Sequence, residues 1–133
     1  MYAVAYKSGK PIGQIKLTKV DGKLIEEGAA QAFLAMRAAA AADGVTLTLS
    51  SGFRTMEEQE RLYAAYKAGT GNYAAKPGYS NHQNGTALDI QVDGSFQSPE
   101  YRWLADNAGE FGFENTGKTF PQPEPWHWEW RVA

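Results

Sequence analysis

The 133-residue chain contains no cysteine. Disulfides and thiolate metal ligands are therefore excluded, and any zinc site must be built from His, Asp and Glu. It also lacks a membrane-spanning run: the longest apolar stretch, Ala38 to Ala42 with its neighbours, is short, alanine-rich and interrupted by Arg37 and Asp43. Charge of one sign is missing too. Thirteen scattered Lys and Arg against fifteen Asp and Glu leave a formal net charge of −2, which gives no broad cationic field for nucleic acid. The start, Met1-Tyr2-Ala3-Val4-Ala5-Tyr6-Lys7, lacks the basic, apolar and small-residue blocks of a secretory signal. No repeat or low-complexity linker divides the chain. Its length and its 43% hydrophobic, 21% charged composition fit one folded domain over 1–133, expected as a monomer.

Alternation at Tyr2 to Tyr6 and Gln14 to Val20 reads as two short strands joined through Gly9, Pro11 and Gly13. Leu24 to Ala42 is helical, with Gly44 at the C-terminal glycine position. Val45 to Ser50 has the period of a half-buried strand. Thr55-Met56-Glu57-Glu58 has the spacing of a capping box, so a helix starts near Met56 and ends by Gly69, with Arg54 at the strand-to-helix corner. Gly69 to Gly85 is a long ordered loop. Ala87 to Val92 resumes strand character and stops at Asp93-Gly94. Ser98-Pro99 caps a third short helix running to Ala108 and Gly109. Beyond three prolines, Trp126 to Trp130 is a strand with His127 and Glu129 on one face and three tryptophans on the other. The tryptophans are read as core packing. The whole is an α+β fold: a small antiparallel sheet with flanking helices.

Chemistry concentrates in Ser80 to Asp89 and in Glu124-Pro125-Trp126-His127. Together they supply two imidazoles, a carboxylate and a spare glutamate. Three N/O ligands with an open fourth position make a catalytic zinc site, and a neighbouring unligated glutamate is the proton acceptor its water needs. A turn histidine, a surface aspartate and a solvent-exposed glutamate are the competing readings. Against them, the chain's only two histidines each sit near a carboxylate at motif-like spacing. Gly85 between His82 and Asp89 allows a close backbone approach that would help them converge. Glu129 fits either a hydrogen bond beside the ligand His127 or an outlying ion pair.

The run from Lys76 to Ile90, containing Ser80-Asn81-His82-Gln83-Asn84-Gly85-Thr86-Ala87-Leu88-Asp89, resembles the Ser-x-His-x-x-Gly-x-Ala-x-Asp motif of VanY-like D-alanyl-D-alanine carboxypeptidases. These are LAS-type zinc metallopeptidases with a hedgehog-like fold. Glu124 to His127 is similar to their Glu-x-x-His motif, and Ser51-Gly52-Phe53-Arg54-Thr55 with Gln59 resembles their upstream segment. The resemblance implies Zn2+ held by His82, Asp89 and His127, Glu124 as catalytic base, and a zinc cleft on the sheet. It implies that Arg54 reaches the cleft to hold a substrate carboxylate or oxyanion. Gln59 and Ser80 would be substrate-binding groups, though a helix-surface amide and a loop hydroxyl describe them equally.

The activity implied is hydrolysis of peptidoglycan stem peptides with release of terminal D-alanine. Related enzymes of the same chemistry, including phage endolysins, cut between L-alanine and D-glutamate. The proline and tryptophan beside His127 favour the carboxypeptidase. A zinc-stabilised binding module without catalysis is the reading from another class, and Glu124 and Arg54 speak against it. The site of action implied is the bacterial cell wall or periplasm. With no signal recognised at the N-terminus, a phage lysin or a delivered effector is an open route.

Overall fold

The computed structural model describes residues 1–131. The last two positions of the expected domain lie outside the described residues. Strands β1 (Tyr2–Lys7), β2 (Lys10–Val20) and β3 (Lys23–Glu26) form one antiparallel sheet in that order. Strands β4 (Leu49–Ser51), β5 (Ala87–Ile90), β6 (Phe113–Glu114) and β7 (His127–Trp130) form a second, ordered β4-β5-β7-β6 and also antiparallel. Helices α1 (Glu27–Ala42), α2 (Met56–Lys67) and α3 (Pro99–Asn107) complete the α+β architecture read from the sequence.

Helix α1 begins three residues later than the sequence pattern indicates. Asp21 and Gly22 both take left-handed backbone, φ 53° and 77°, which makes a tight reversal suited to the twist of paired strands. Residues 23–26 therefore run back along β2, and Leu24 belongs to a strand. Glu26 then closes the helix start, its carboxylate accepting from Gly28 N at 2.9 Å and Ala29 N at 3.0 Å. This satisfies two of the amides a helix N-terminus leaves free. The expected strand at Val45 to Ser50 is reduced to Leu49–Ser51. The alternation is still expressed as burial, since Leu47 and Leu49 both enter the core.

The β1–β2 connection is tighter than the glycine and proline pattern indicates. Ser8 and Gly9, at φ 52° and 80°, turn the chain, and Pro11 pairs within the ladder opposite Tyr6 beside a register shift. The capping box at α2 forms as read: Thr55 Oγ1 accepts from Glu58 N at 3.1 Å, and Glu58 Oε1 accepts from Thr55 N at 3.2 Å.

The core lies between α1, α3 and one face of the second sheet. Phe33 and Met36 from α1 and Leu104 from α3 pack with Leu88, Ile90 and Trp128 from the sheet. Buried alanines at 29, 30 and 40 keep the helix surface flat without lowering helix propensity. Because strand side chains alternate, the neighbours of these core residues, Asp89, His127 and Glu129, point to the opposite face. Trp126 and Trp130 are half-buried and pack against the core, as expected of them.

Candidate metal centre

His82 sits in a 3-10 turn, Asn81–Gln83, inside the otherwise irregular segment between α2 and β5. Ser80 caps that turn, its Oγ accepting from His82 N at 3.2 Å, and is buried. The His82 ring is oriented from behind: Nδ1 lies 2.9 Å from Gly52 O. A carbonyl only accepts, so Nδ1 carries the proton and Nε2 presents its lone pair. Gly52 packs too closely for a side chain, since a Cβ there would overlap Leu24 O and lie 2.6 Å from Ile25 Cγ2.

Asp89 and His127 are direct partners across the β5–β7 ladder. Asp89 Oδ1 lies 3.2 Å from His82 Nε2 and 3.3 Å from His127 Nδ1. Despite these short separations, Asp89 Oδ1 and His127 Nδ1 are buried without a hydrogen-bond partner. Such orphaned groups are costly unless something else fills the role. Three ligand atoms, one from each of His82, Asp89 and His127, lie within 4.8 Å of one another. A tetrahedral zinc with bonds of about 2.0–2.1 Å sets its ligand atoms roughly 3.3–3.4 Å apart. The two short separations match the edges of that tetrahedron, and the orphaned atoms are the ones that would face the ion. The residues present fit zinc.

The other nitrogen of His127 is also fixed. Nε2 lies 3.4 Å from Glu129 Oε2, and the same oxygen accepts from Thr116 Oγ1 at 2.6 Å. A proton on Nε2 points to the carboxylate and leaves Nδ1 free to ligate, the usual outer-shell arrangement for a metal-binding histidine. Of the two readings of Glu129, its geometry is that of the group beside the ligand.

Electrostatics agree with a cation-binding pocket. Burial opposes charge on Asp89, but the two imidazoles outweigh it and hold its carboxyl far below the usual range. Burial likewise opposes charge on His127, yet Asp89 and Glu129 raise it to about 9. Glu124, half-buried, is raised above its ordinary value chiefly by burial, with Asp89 adding and His127, His82 and Arg54 opposing. Its Oε1 stands 3.9 Å from His127 Nδ1, outside the ligand cluster but beside it.

The segment joining Glu124 to His127 is clamped by residues that the sequence motifs do not include. Asn115 Nδ2 donates to His127 O at 2.8 Å and to Glu124 O at 3.3 Å, while its Oδ1 accepts from Tyr101 OH at 2.8 Å. Glu124 N donates to Gly117 O at 2.9 Å. Nothing but turn composition marks Asn115-Thr116-Gly117 in the sequence, so this seat was not foreseen.

Arg54 lies at the corner between β4 and α2, its backbone N donating to His82 O at 3.1 Å. Its Nη1 is 3.5 Å from Gln59 Oε1. Gln59 is wholly buried, and its Nε2 donates to Ala75 O at 2.9 Å. Gln59 therefore meets the site through Arg54 and the 75 backbone, and Ser80 meets it through the His82 turn.

Two histidines and an aspartate with a carboxylate alongside, on an α+β scaffold, resemble the arrangement of a LAS-type peptidase. Residues 22–133 match the family VanY: D-alanyl-D-alanine carboxypeptidase, and the chain belongs to that family. It is 37% identical over 114 residues to a D-alanyl-D-alanine carboxypeptidase of Enterococcus faecalis, covering 69% of this chain and 42% of the relative. The chain thus spans less than half of that relative's length. Among solved structures it resembles the vancomycin-resistance D,D-pentapeptidase VanY of a VanB-type cassette in complex with Zn(II), with TM-score 0.71, 29% identity and coverage of 96% of this chain and 86% of the other. It equally resembles VanYB in complex with D-alanine-D-alanine, with TM-score 0.72, 31% identity and coverage of 96% and 84%. Among the described residues no helix is long and apolar enough to cross a membrane.

Proposed function

We propose that this chain is a zinc-dependent D,D-carboxypeptidase that removes the terminal D-alanine from peptidoglycan stem peptides. The observation that carries this reading is the convergence of His82, Asp89 and His127 on one point with the Glu124 carboxylate beside it. The relatives named above, one of them solved with Zn(II) and another with D-alanine-D-alanine, support the metal and the substrate class.

In this reading His82 Nε2, Asp89 Oδ1 and His127 Nδ1 hold the ion. Bound there, zinc would polarise the scissile carbonyl and lower the pKa of a water to about 7. Glu124 accepts the proton from the attacking water as its oxygen adds to the carbonyl carbon. It then delivers that proton to the amine nitrogen as the C–N bond breaks, releasing D-alanine. Burial raises its pKa, the direction that makes a carboxylate a better proton acceptor. Arg54 supplies a fixed positive fork for the substrate's terminal carboxylate or for charge developing on the carbonyl oxygen. Gln59 supports Arg54, and Ser80 holds the His82 turn and edges the substrate cleft.

The test is release of D-alanine from a synthetic stem pentapeptide, with products sequenced by mass spectrometry, for wild type and Glu124→Gln. Loss of the base is expected to lower kcat by about 10²–10⁴-fold with zinc content unchanged. His82→Ala and Asp89→Ala are expected to weaken zinc binding instead. Zinc-loaded wild type that releases no product would defeat the reading.

A further inference from the structure

The hairpin formed by β1 and β2 lies wholly before residue 22, where the family match begins. It is nevertheless built against the metal-binding segment. Gly9 N donates to Gly78 O at 3.0 Å, and the two glycine backbones are so close that a Cβ on Gly78 would stand 2.7 Å from Gly9 Cα. Further along, Ile15 Cδ1 fills the space where a Cβ on Gly85 would sit. Two close approaches, one on either side of His82, seat the hairpin firmly.

That docking leaves an open cavity of about 470 Å³ walled by Lys7 and Ile12 of the hairpin, by Asn81, Asn84 and Thr86, and by Glu129 and Arg131. It adjoins the metal centre: Asn81 and Asn84 flank the His82 turn, and Glu129 contacts the His127 ring. The sheet order puts the cavity and Arg54 on opposite flanks of β5. Arg54 follows β4 on one side, whereas Glu129 and Arg131 lie on or just beyond β7 on the other.

The cavity's charge is net positive. Glu129 is committed to Thr116 and His127. Lys7 and Arg131 remain, and the Arg131 pair with Glu114, at 3.3 Å, is 60% and 61% exposed, so little holds it there. With two carboxamides and a threonine alongside, the lining offers hydrogen bonds and positive charge to an anionic group. An extended peptide advances about 3.3 Å per residue. One whose terminal carboxylate reaches Arg54 across the metal would carry its residues upstream of the scissile bond toward this cavity.

Resting on the peptidase reading, we propose that this cavity is a subsite for a side-chain carboxylate upstream of the scissile bond, and that the hairpin contributes specificity through Lys7. The experiment compares acetyl-Glu-D-Ala-D-Ala with acetyl-Gln-D-Ala-D-Ala, for wild type and the double variant Lys7→Gln/Arg131→Gln. Wild type is expected to favour the glutamate peptide in kcat/KM by about five- to tenfold, less at high salt, as partly screened ion pairs behave. The double variant should bring that ratio to about one. The ratio is internal to each protein, so a general loss of folding or activity cancels. A wild-type ratio near one, or one the double substitution leaves intact, would overturn the proposal. Calorimetric binding of the same two peptides to zinc-loaded Glu124→Gln separates the two failures. Should neither peptide be cut by wild type, the peptidase reading fails. The ratio of binding constants still decides the subsite, and equal or absent binding counts against it.

Discussion

Gly117→Ala should damage catalysis through geometry alone. Gly117 underlies the segment that joins Glu124 to His127. An added Cβ would overlap Glu124 O and lie 2.7 Å from His127 Cβ and 3.1 Å from Glu124 Cβ. Ordinary carbon contacts are about 3.5–4.0 Å, so the 124–127 backbone must retreat by roughly 1 Å, or the 115–117 turn must. Its φ lies outside the left-handed region, hence alanine brings no backbone strain of its own. Overpacking of this kind costs about 1–3 kcal/mol of stability. A misplacement of about 1 Å at reacting groups costs on the order of 10²-fold in rate. We therefore expect kcat for D-alanine release to fall about 100-fold and zinc affinity, measured by chelator competition, to fall as His127 shifts. Gly109→Ala is the control, because its Cβ would meet nothing within 4 Å. That variant should keep full activity, with stability unchanged or raised by less than about 1 kcal/mol. If Gly117→Ala kept kcat within threefold and bound zinc as wild type does, the seat assigned to this turn would be refuted.

The zinc-free protein should lose stability as pH rises. His127, near 6.5 when unfolded and about 9 when folded, contributes fully below pH 6.5 and nothing above 9, a difference on the order of 3 kcal/mol; a melting temperature flat or rising from pH 6.5 to 9 would contradict this. Because that proton must leave for Nδ1 to ligate, and a zinc-bound water with a pKa of about 7 would lose most of another, zinc uptake at pH 7.5 should release about one to two protons, read from calorimetry in buffers of different ionisation heat. Asn115→Ala strips a donor from Glu124 O and His127 O and an acceptor from Tyr101 OH, and should cost about 1–3 kcal/mol in thermal or denaturant unfolding. In a double-mutant cycle with Tyr101→Phe, non-additivity of at least about 0.5 kcal/mol is expected, and strict additivity would argue that the two act independently.

The grouping of His82, Asp89 and His127 was legible through the resemblance of two short motifs to a known family, since residue types alone left a turn histidine and a surface aspartate open. Thr55 and Ser98 announced their helices by a local signal, since capping is an interaction between a side chain and amides two or three residues on. The start of α1 was harder to read. Leu24 and Ile25 have helical composition, and only the left-handed pair Asp21 and Gly22 assigns them to a strand. The clamp at Asn115 was not legible at all. Its partners are backbone carbonyls nine and twelve residues away, and a carbonyl leaves no trace in residue identity. Gln59 illustrates a further limit: a motif glutamine can mark a substrate contact or a buried strut, and only its full burial with a bond to Ala75 O tells which groups it touches.

Core and site are two faces of the same strand pair, which explains how so small a scaffold holds Asp89 and His127 in place, with His82 joining them from its 3-10 turn. In β5 the order is Ala87, Leu88, Asp89, Ile90, and in β7 it is His127, Trp128, Glu129, Trp130. Leu88, Ile90 and Trp128 are almost fully buried against α1 and α3, each worth roughly 1.5–3 kcal/mol relative to exposure. A one-residue slip of either strand would turn those side chains outward and aim the ligands into the core. Hydrophobic burial on one face therefore fixes register, and register brings Asp89 opposite His127 on the other. The unpaired Asp89 and His127 atoms can persist buried because the apolar face opposes the relaxation that would satisfy them. The packing behind the site thus holds these atoms in the geometry that would suit an ion.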